Sequence, residues 1–400
     1  MREKIAELKK KFIQIYGGED KDLRVFASPG RVNLIGEHID YCGGYVFPAA
    51  ITLDSTVIAR KRSDRTLRLA ATDLPDRVVG SLDRLEEGKG LRWGNYQMGV
   101  ADELQKAGYR LTGVDLLYHD TVPLGSGLSS SAAIQLATAI TLVTLGNEAH
   151  GLNTPIDRVQ LAVISQRAEH NFVGVKCGIM DQFASAMGRK DHAMLLDCGT
   201  LEYKYTPLKL EGYKIVLANT KKKRGLGESK YNERVRETGE GLEILKRYLP
   251  GKVHLCDVTI GEYEQFKDRI TDPTVRKRVE HVIYENARVL KSFEALEKGE
   301  LVRFGEILAE AHASIRDLYE VTGFELDTMV EEALKIKGTV GARMTGAGFG
   351  GCTVNIVKDE SVEEFIKTVG ENYTRKTGIV PEFYISEVGD GAREIKDSEL

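Results

Sequence analysis

The sequence predicts an α+β protein in two lobes, and three observations carry that expectation. Strand-like and helix-like segments are mixed through all 400 residues with no internal repeat. Strand patterns concentrate in the first half, whereas long helical patterns dominate after residue 229. Glycines gather at 30–44, 125–127 and 338–351, each close to an apolar run. Four hundred residues suffice for two or three domains, and the change of character puts the boundary near 199–212. The lobes are therefore taken as 1–205 and 206–400.

The elements follow in order. Ile5, Leu8, Phe12 and Ile15 share one helical face in the first sixteen residues. Arg24–Ala27 reads as a short strand leading into Ser28–Gly44. Thr56–Arg62 and Thr66–Ala71 alternate as strands with a turn at Ser63-Asp64. Asn95–Ala107 is a predicted helix and Val114–Asp120 a strand. Helices follow at Ala132–Leu145 and Pro155–His170, with a shorter one after Gly178. Ala193–Asp197 and Lys214–Ala218 read as strands. Four helical patterns then run over Ser229–Arg247, Asp272–Lys298, Leu301–Val321 and Glu325–Lys337. Strands at Cys352–Val357 and Glu382–Val388 complete the chain.

Composition excludes several classes. The net charge of −4 gives no basic field for nucleic acid, and the run Lys221–Arg224 reads as a solvated loop. Cys42, Cys177, Cys198, Cys256 and Cys352 are odd in number and lack metal spacing, as expected of reduced thiols in the cytoplasm. His170, His254, His281 and His312 likewise show no ligand spacing. The segment Ile134–Leu145 is too short and too polar to span a bilayer.

Three stretches concentrate chemistry. Ser28–Gly44 packs Arg31, Asn33, Glu37, His38 and Asp40 among four glycines, next to the apolar run Val46–Leu53. An arginine with several carboxylates suits a small polar ligand; a capped turn is the plainer alternative. In Gly125-Ser126-Gly127-Leu128-Ser129-Ser130-Ser131, between a strand and a helix, the glycines allow N–H groups to converge while the helix N-terminus adds positive potential. A helix cap needs only one serine, so this run points to phosphate. It lacks the Gly-Lys-Ser/Thr ending of a Walker loop. Gly346, Gly348 and Gly351 match GxGxxG, yet Cys352–Val357 after them is a strand. A dinucleotide fingerprint requires a helix there. Asp181 after Gly178, Glu169 at a helix end and Tyr231 near a helix start are, taken singly, a cap, a surface charge and a packing residue.

Together these stretches resemble the three signature motifs of the GHMP kinase superfamily: Ser28–Gly44, Pro123–Ala133 and Met344–Cys352. The form Gly-Arg-Val-Asn-Leu-Ile-Gly-Glu-His-Ile-Asp-Tyr of the first is similar to galactokinases, as are Cys177–Ser185, Glu228–Arg234 and His312–Val321. The resemblance implies a ribosomal-protein-S5-like N-terminal lobe that binds sugar and ATP, a ferredoxin-like C-terminal lobe, and an active site between them. It implies ATP-dependent phosphorylation of galactose at the anomeric O1 by a cytoplasmic monomer, with no nucleic-acid or membrane partner. Asp181 and Arg31 would be catalytic, and Glu37, His38, Asp40, Gly178 and Tyr231 would hold the sugar. Gly125, Ser126, Gly127, Leu128, Ser129, Ser130 and Ser131 would cradle ATP. Ser131 and Glu169 would bind Mg²⁺. Ile39 and Cys42 depart from the usual galactokinase pattern and resemble N-acetylgalactosamine kinases, which makes that activity one alternative; a non-catalytic galactose/ATP sensor is the other.

Overall fold

The computed structural model describes residues 2–222, 227–396 and 398. Helix α1 (Arg2–Tyr16) buries Ile5, Leu8 and Phe12, the apolar face expected of it. Strand β1 (Arg24–Asn33) runs well beyond Ala27. A register shift between Pro29 and Arg31 lets the strand continue past a proline. After β2 (Tyr45–Val46) come β3 (Pro48–Lys61), β4 (Thr66–Ala71), β5 (Val78–Ser81), α2 (Asn95–Lys106) and β6 (Val114–Asp120). Helix α3 (Ser130–Ala149) is apolar nearly all round and buried against β1 and β3, which fixes its N-terminus in space. Helix α4 (Arg158–Ala168) starts later than Pro155, because Asp157 caps it by accepting from the Gln160 N–H at 3.1 Å. A π turn over Glu169–Val173 closes it. Then follow α5 (Met180–Met187), β7 (His192–Asp197) and β8 (Tyr203–Pro207).

The second half holds β9 (Tyr213–Asn219), α6 (Gly227–Lys246), α7 (Ile260–Phe266), α8 (Pro273–Glu297) and α9 (Leu301–Ser314), followed by α10 (Phe324–Lys335). The pattern expected to run helically to Val321 is interrupted by a π turn at Ile315–Tyr319. Strands β10 (Thr339–Thr345) and β11 (Cys352–Lys358) flank the third glycine cluster as a hairpin, so it is no dinucleotide fold. Helix α11 (Val362–Thr377), which buries Val362, Phe365, Val369 and Tyr373, β12 (Glu382–Ser386) and β13 (Arg393–Glu394) end the chain.

Among the described residues the first sheet has the order β13-β1-β3-β6-β4-β5, the second β10-β11-β9-β12 and the third β2-β7-β8. The turn at Ser63-Asp64 therefore joins strands that are not neighbours, since β6 lies between β3 and β4. The 205/206 division falls inside β8, and the last strand returns to the first sheet. There Gly389 N–H donates to the Ala50 carbonyl at 2.9 Å, and Val388 bridges Ile51. One apolar core runs from Phe26, Leu136 and Phe183 through Val279, Phe304 and Met344, so both halves pack on a shared interior. Burying each such side chain contributes about 1.5–3 kcal/mol. No described helix is long and apolar enough to cross a membrane, and all five cysteines are free thiols.

Candidate active site

The three glycine clusters interlock. A Cβ on Gly30 would lie 2.5 Å from the Leu128 carbonyl oxygen, and one on Gly346 would lie 2.7 Å from that of Gly127. The loop before α3 is thus wedged between the strand that carries Arg31 and the β10–β11 hairpin. Only glycine permits that approach.

This wedge assembles a charged pair. Arg31, 3% exposed, donates from its backbone N–H to the Leu128 carbonyl at 3.1 Å and from Nη1 to the Gly127 carbonyl at 2.7 Å. Its Nη2 donates to Asp181 Oδ1 at 2.6 Å. The other carboxylate oxygen of Asp181 accepts from Ser129 Oγ, also at 2.6 Å. Asp181 sits in the first turn of α5, whose N-terminus favours a negative charge.

Two cavities meet at this pair, and Arg31, Asp181 and Ala347 line both. The first, of about 520 Å³, is walled by Glu37, His38, Asp40, Glu169, Gly178 and Tyr231. All five predicted sugar residues are here. Asp40 has its carboxyl raised to about 6, by burial and then by the nearby charge of Asp181. Glu37 is fully buried; it pairs with Arg343 and accepts the Gly346 N–H at 3.0 Å. His38 adopts a left-handed backbone with φ 63°. Burial lowers its ring to about 4, so it is neutral. Because Nε2 lies 2.9 Å from the Ala347 carbonyl, which only accepts, the proton resides on Nε2. Nδ1 then accepts from the Tyr41 hydroxyl at 3.0 Å, itself 2.7 Å from the Tyr319 hydroxyl. Both ring nitrogens are engaged within the protein, so His38 presents its ring face to the cavity, 5.3 Å from the Tyr231 ring. That differs from a hydrogen-bonding role toward sugar hydroxyls. Ile39 is fully buried and Cys42 nearly so; both pack in the core and neither lines a cavity.

The second cavity, of about 470 Å³, is bounded by Gly125, Gly127 and Ser129–Ser131 at one end and by Ala71, Trp93, Tyr96 and Tyr118 at the other. Ser126 does not face it; its hydroxyl donates back to the Pro123 carbonyl at 2.6 Å. Leu128 is fully buried and contributes backbone only. A polar glycine-serine end and an aromatic end suit a ligand with phosphates and a flat ring.

Glu169 is buried in the first cavity, accepts from Gln182 Nε2 at 2.7 Å, and has its carboxyl raised to about 7 by burial and then by Asp181. Its other neighbour, Gln135, lies one turn below Ser131 on the same face of α3. Among the described residues no group of three or more ligating side chains exists. Ser131 borders the second cavity and Glu169 the first, and a hydroxyl and a single carboxylate so placed fit a cation held mostly by phosphate and water oxygens, as Mg²⁺ is.

Residues 10–61 match a model described as the galactokinase galactose-binding signature. Residues 95–189 match the GHMP kinases N terminal domain, and 292–375 the GHMP kinases C terminal. A galactokinase of Clostridium tetani is 48% identical over 392 residues, covering 98% of each chain. The chain belongs to the galactokinase family. A galactokinase of Bacillus subtilis is 42% identical across 98% of this chain and 99% of its own. A crystal structure of Lactococcus lactis galactokinase complexed with galactose superposes with a TM-score of 0.92 at 42% identity, covering 98% of this chain and 100% of that one. The Methanococcus jannaschii mevalonate kinase, at 19% identity and a TM-score of 0.62, shares the fold. The GHMP kinase fold expected from the motifs is thus the observed one.

Within this galactokinase fold, two contributors escaped sequence reading. Arg343 sits in β10, fully buried, and binds Glu37 and the carbonyls of Asn33 and Leu34. Its signal was a charge at a buried strand position. Trp93, the chain's single tryptophan, lies just ahead of α2 at the aromatic end of the second cavity. Of the basic run, Lys221 pairs with Glu382 and Lys222 with Glu325, while Lys223 and Arg224 lie outside the described residues.

Proposed function

We infer that the chain is an ATP-dependent galactokinase that forms galactose 1-phosphate and ADP. The observation that carries this reading is the meeting of two cavities, one ringed by carboxylates and one by glycine and serine, at Arg31 and Asp181. Galactose occupies the first and ATP the second. In the reaction the sugar O1 forms a bond to the γ-phosphorus, the bond from that phosphorus to the β–γ bridging oxygen breaks, and ADP leaves. Asp181 accepts a hydrogen bond from O1–H, directs a lone pair at phosphorus, and receives the proton as the new bond forms. Arg31 faces the charge that spreads over the transferring oxygens; loose phosphoryl transfer is accelerated chiefly by such positioning and charge compensation. Asp40, Glu37, Gly178 and Tyr231 select the sugar, and His38 stiffens the wall. Gly125, Gly127, Ser130 and Ser131 receive the phosphates.

Ser131 and Glu169 hold Mg²⁺, which when bound neutralises phosphate charge. The raised carboxyl of Glu169 supports this role, because a buried carboxylate near Asp181 lacks a counter-charge. The lobes are read as 1–205 and 206–400, with the final strand docked back on the first. The enzyme is read as cytoplasmic, a reading supported by its five free thiols, and as a monomer. N-acetylgalactosamine as substrate is not favoured, since Ile39 and Cys42 do not shape the cavity. A mere sensor is not favoured either, since Arg31, Asp181 and the serine run are assembled.

ADP release with Mg·ATP and a panel of galactose, N-acetylgalactosamine, glucose and mevalonate tests the reading. Galactose gives the highest kcat/KM; saturable galactose binding without turnover would instead indicate a sensor. Asp181→Asn lowers kcat by about 10³-fold or more, with ATP affinity retained. Near-normal turnover in that variant removes Asp181 from its role.

A further inference from the structure

Ser129 is the residue just before α3, where a serine ordinarily caps the helix by accepting a backbone N–H. It does not do so here: no cap bond is made, and its backbone is left-handed at φ 63° and ψ 46°. A non-glycine residue in that conformation is strained. The strained geometry aims Oγ away from the helix and onto Asp181 Oδ2, at 2.6 Å. Ser129 is largely buried, so its hydroxyl has little water to exchange with. The two residues before it show the same preference for the acid–arginine pair: Gly127 and Leu128 spend their carbonyls on Arg31. The loop that borders the nucleotide cavity therefore makes three bonds to the catalytic pair, and one of them is a hydroxyl that only an active geometry requires.

We propose that Ser129 is a positioning residue for Asp181, not a phosphate ligand like its neighbours, and that it couples the nucleotide loop to the catalytic carboxylate. This rests on the galactokinase reading above. With Oδ1 held by Arg31 and Oδ2 by Ser129, the carboxylate cannot rotate, and its remaining lone pairs point to one place. A sugar hydroxyl arriving there finds an oriented acceptor before ATP binds. Phosphates settling on Gly125, Ser130 and Ser131 then tighten the same loop and hold the acceptor in register. Proximity and orientation of this kind act on turnover rather than on ground-state binding.

The test uses Ser129→Ala and Ser129→Gly. Alanine removes only the hydroxyl, and glycine removes the whole CH2OH group but keeps the left-handed backbone without strain, so the pair separates positioning from folding. Nucleotide affinity is read from the fluorescence of Trp93, the sole tryptophan, which lines the nucleotide cavity. Both variants should lose about 10- to 100-fold in kcat, the factor carried by one hydrogen bond to a charged group. Their ATP dissociation constant should stay within about twofold, and crystals of Ser129→Gly should show the Asp181 carboxylate rotated. A tenfold weaker ATP affinity with kcat nearly intact at saturation would make Ser129 a phosphate ligand and overturn the proposal. An unrotated Asp181 with unchanged kcat would overturn it too. Failure of the wild type to phosphorylate galactose would overturn the functional reading separately, while the Trp93 titration and the Asp181 rotamer would still decide on Ser129.

Discussion

The carboxylate of Asp40 lies against Gly178 so closely that a Cβ on Gly178 would sit 1.7 Å from Oδ2. The absence of a side chain at 178 is therefore what gives Asp40 its place in the sugar cavity. Gly178→Ala should push the carboxylate aside and lower kcat/KM for galactose by about 10²-fold, the scale of a mispositioned reactant. ATP affinity, read at Trp93, should not change. A Gly178→Ala enzyme with normal galactose kinetics would show that Asp40 does not touch the sugar.

Asp40 also sets a pH dependence of stability. Its folded-state value of about 6 lies above the ordinary 3.8. Between those values the folded form holds a proton that the unfolded chain has released. Stability from this group is thus present at low pH and is lost as pH rises through about 6. At neutral pH the charge is a standing cost of about 3 kcal/mol. Asp40→Asn should raise the melting temperature of the ligand-free protein at pH 7.5, with the gain fading toward pH 4. A loss of stability at pH 7.5 would contradict this.

Arg343 neutralises Glu37 and lies 4.0 Å from Glu285, all three fully or almost fully buried. Replacing it by methionine fills the space but leaves the Glu37 carboxylate without its ion-pair partner, while Glu285 keeps Arg288 at 2.7 Å. Removing one member of such a set costs about 3–5 kcal/mol. Urea denaturation should register this as a lower midpoint, with Arg343→Lys falling between the two proteins. An unchanged midpoint for Arg343→Met would show that Glu37 is protonated in the fold.

Ile39 and Cys42, the two departures in the first motif, should prove silent in specificity. Both are core residues, and the side chain of Ile39 abuts Gly44. Ile39→Thr buries a hydroxyl and should cost about 1–3 kcal/mol. The ratio of kcat/KM for galactose over N-acetylgalactosamine should move less than about threefold. A large shift in that ratio would mean the core beneath the sugar loop shapes the cavity after all.

Much of the site was legible because its chemistry is local in sequence. Arg31 through Asp40 fall within one short stretch at the end of β1 and the loop after it, the serine run sits at one helix start, and glycine at close approaches leaves a compositional trace. What depends on partners distant in the chain was not legible. Arg343 falls between a helix read to Lys337 and a strand read from Cys352, in a stretch assigned no element, and its role shows only when β10 is laid beside the Asn33–Leu34 carbonyls. Ser129 reads as one more member of a phosphate-binding serine run until its left-handed backbone and its bond to Asp181 are seen. The insertion of β6 between β3 and β4 is a pairing choice that no local alternation encodes, because the turn at Ser63-Asp64 suits a hairpin equally well. His38 looks like a donor to a ligand, yet the Ala347 carbonyl and Tyr41 reach it first.

The pairing of β13 with β1 has a consequence for biosynthesis. Phe26 emerges from the ribosome more than three hundred residues before Glu394, its partner across that ladder. Throughout elongation the outer edge of the first sheet is bare, an invitation to intermolecular pairing that lasts until translation reaches the final strand. Chaperone dependence during synthesis, and sensitivity to tags fused at the C-terminus, should trace to those two residues of late-arriving strand.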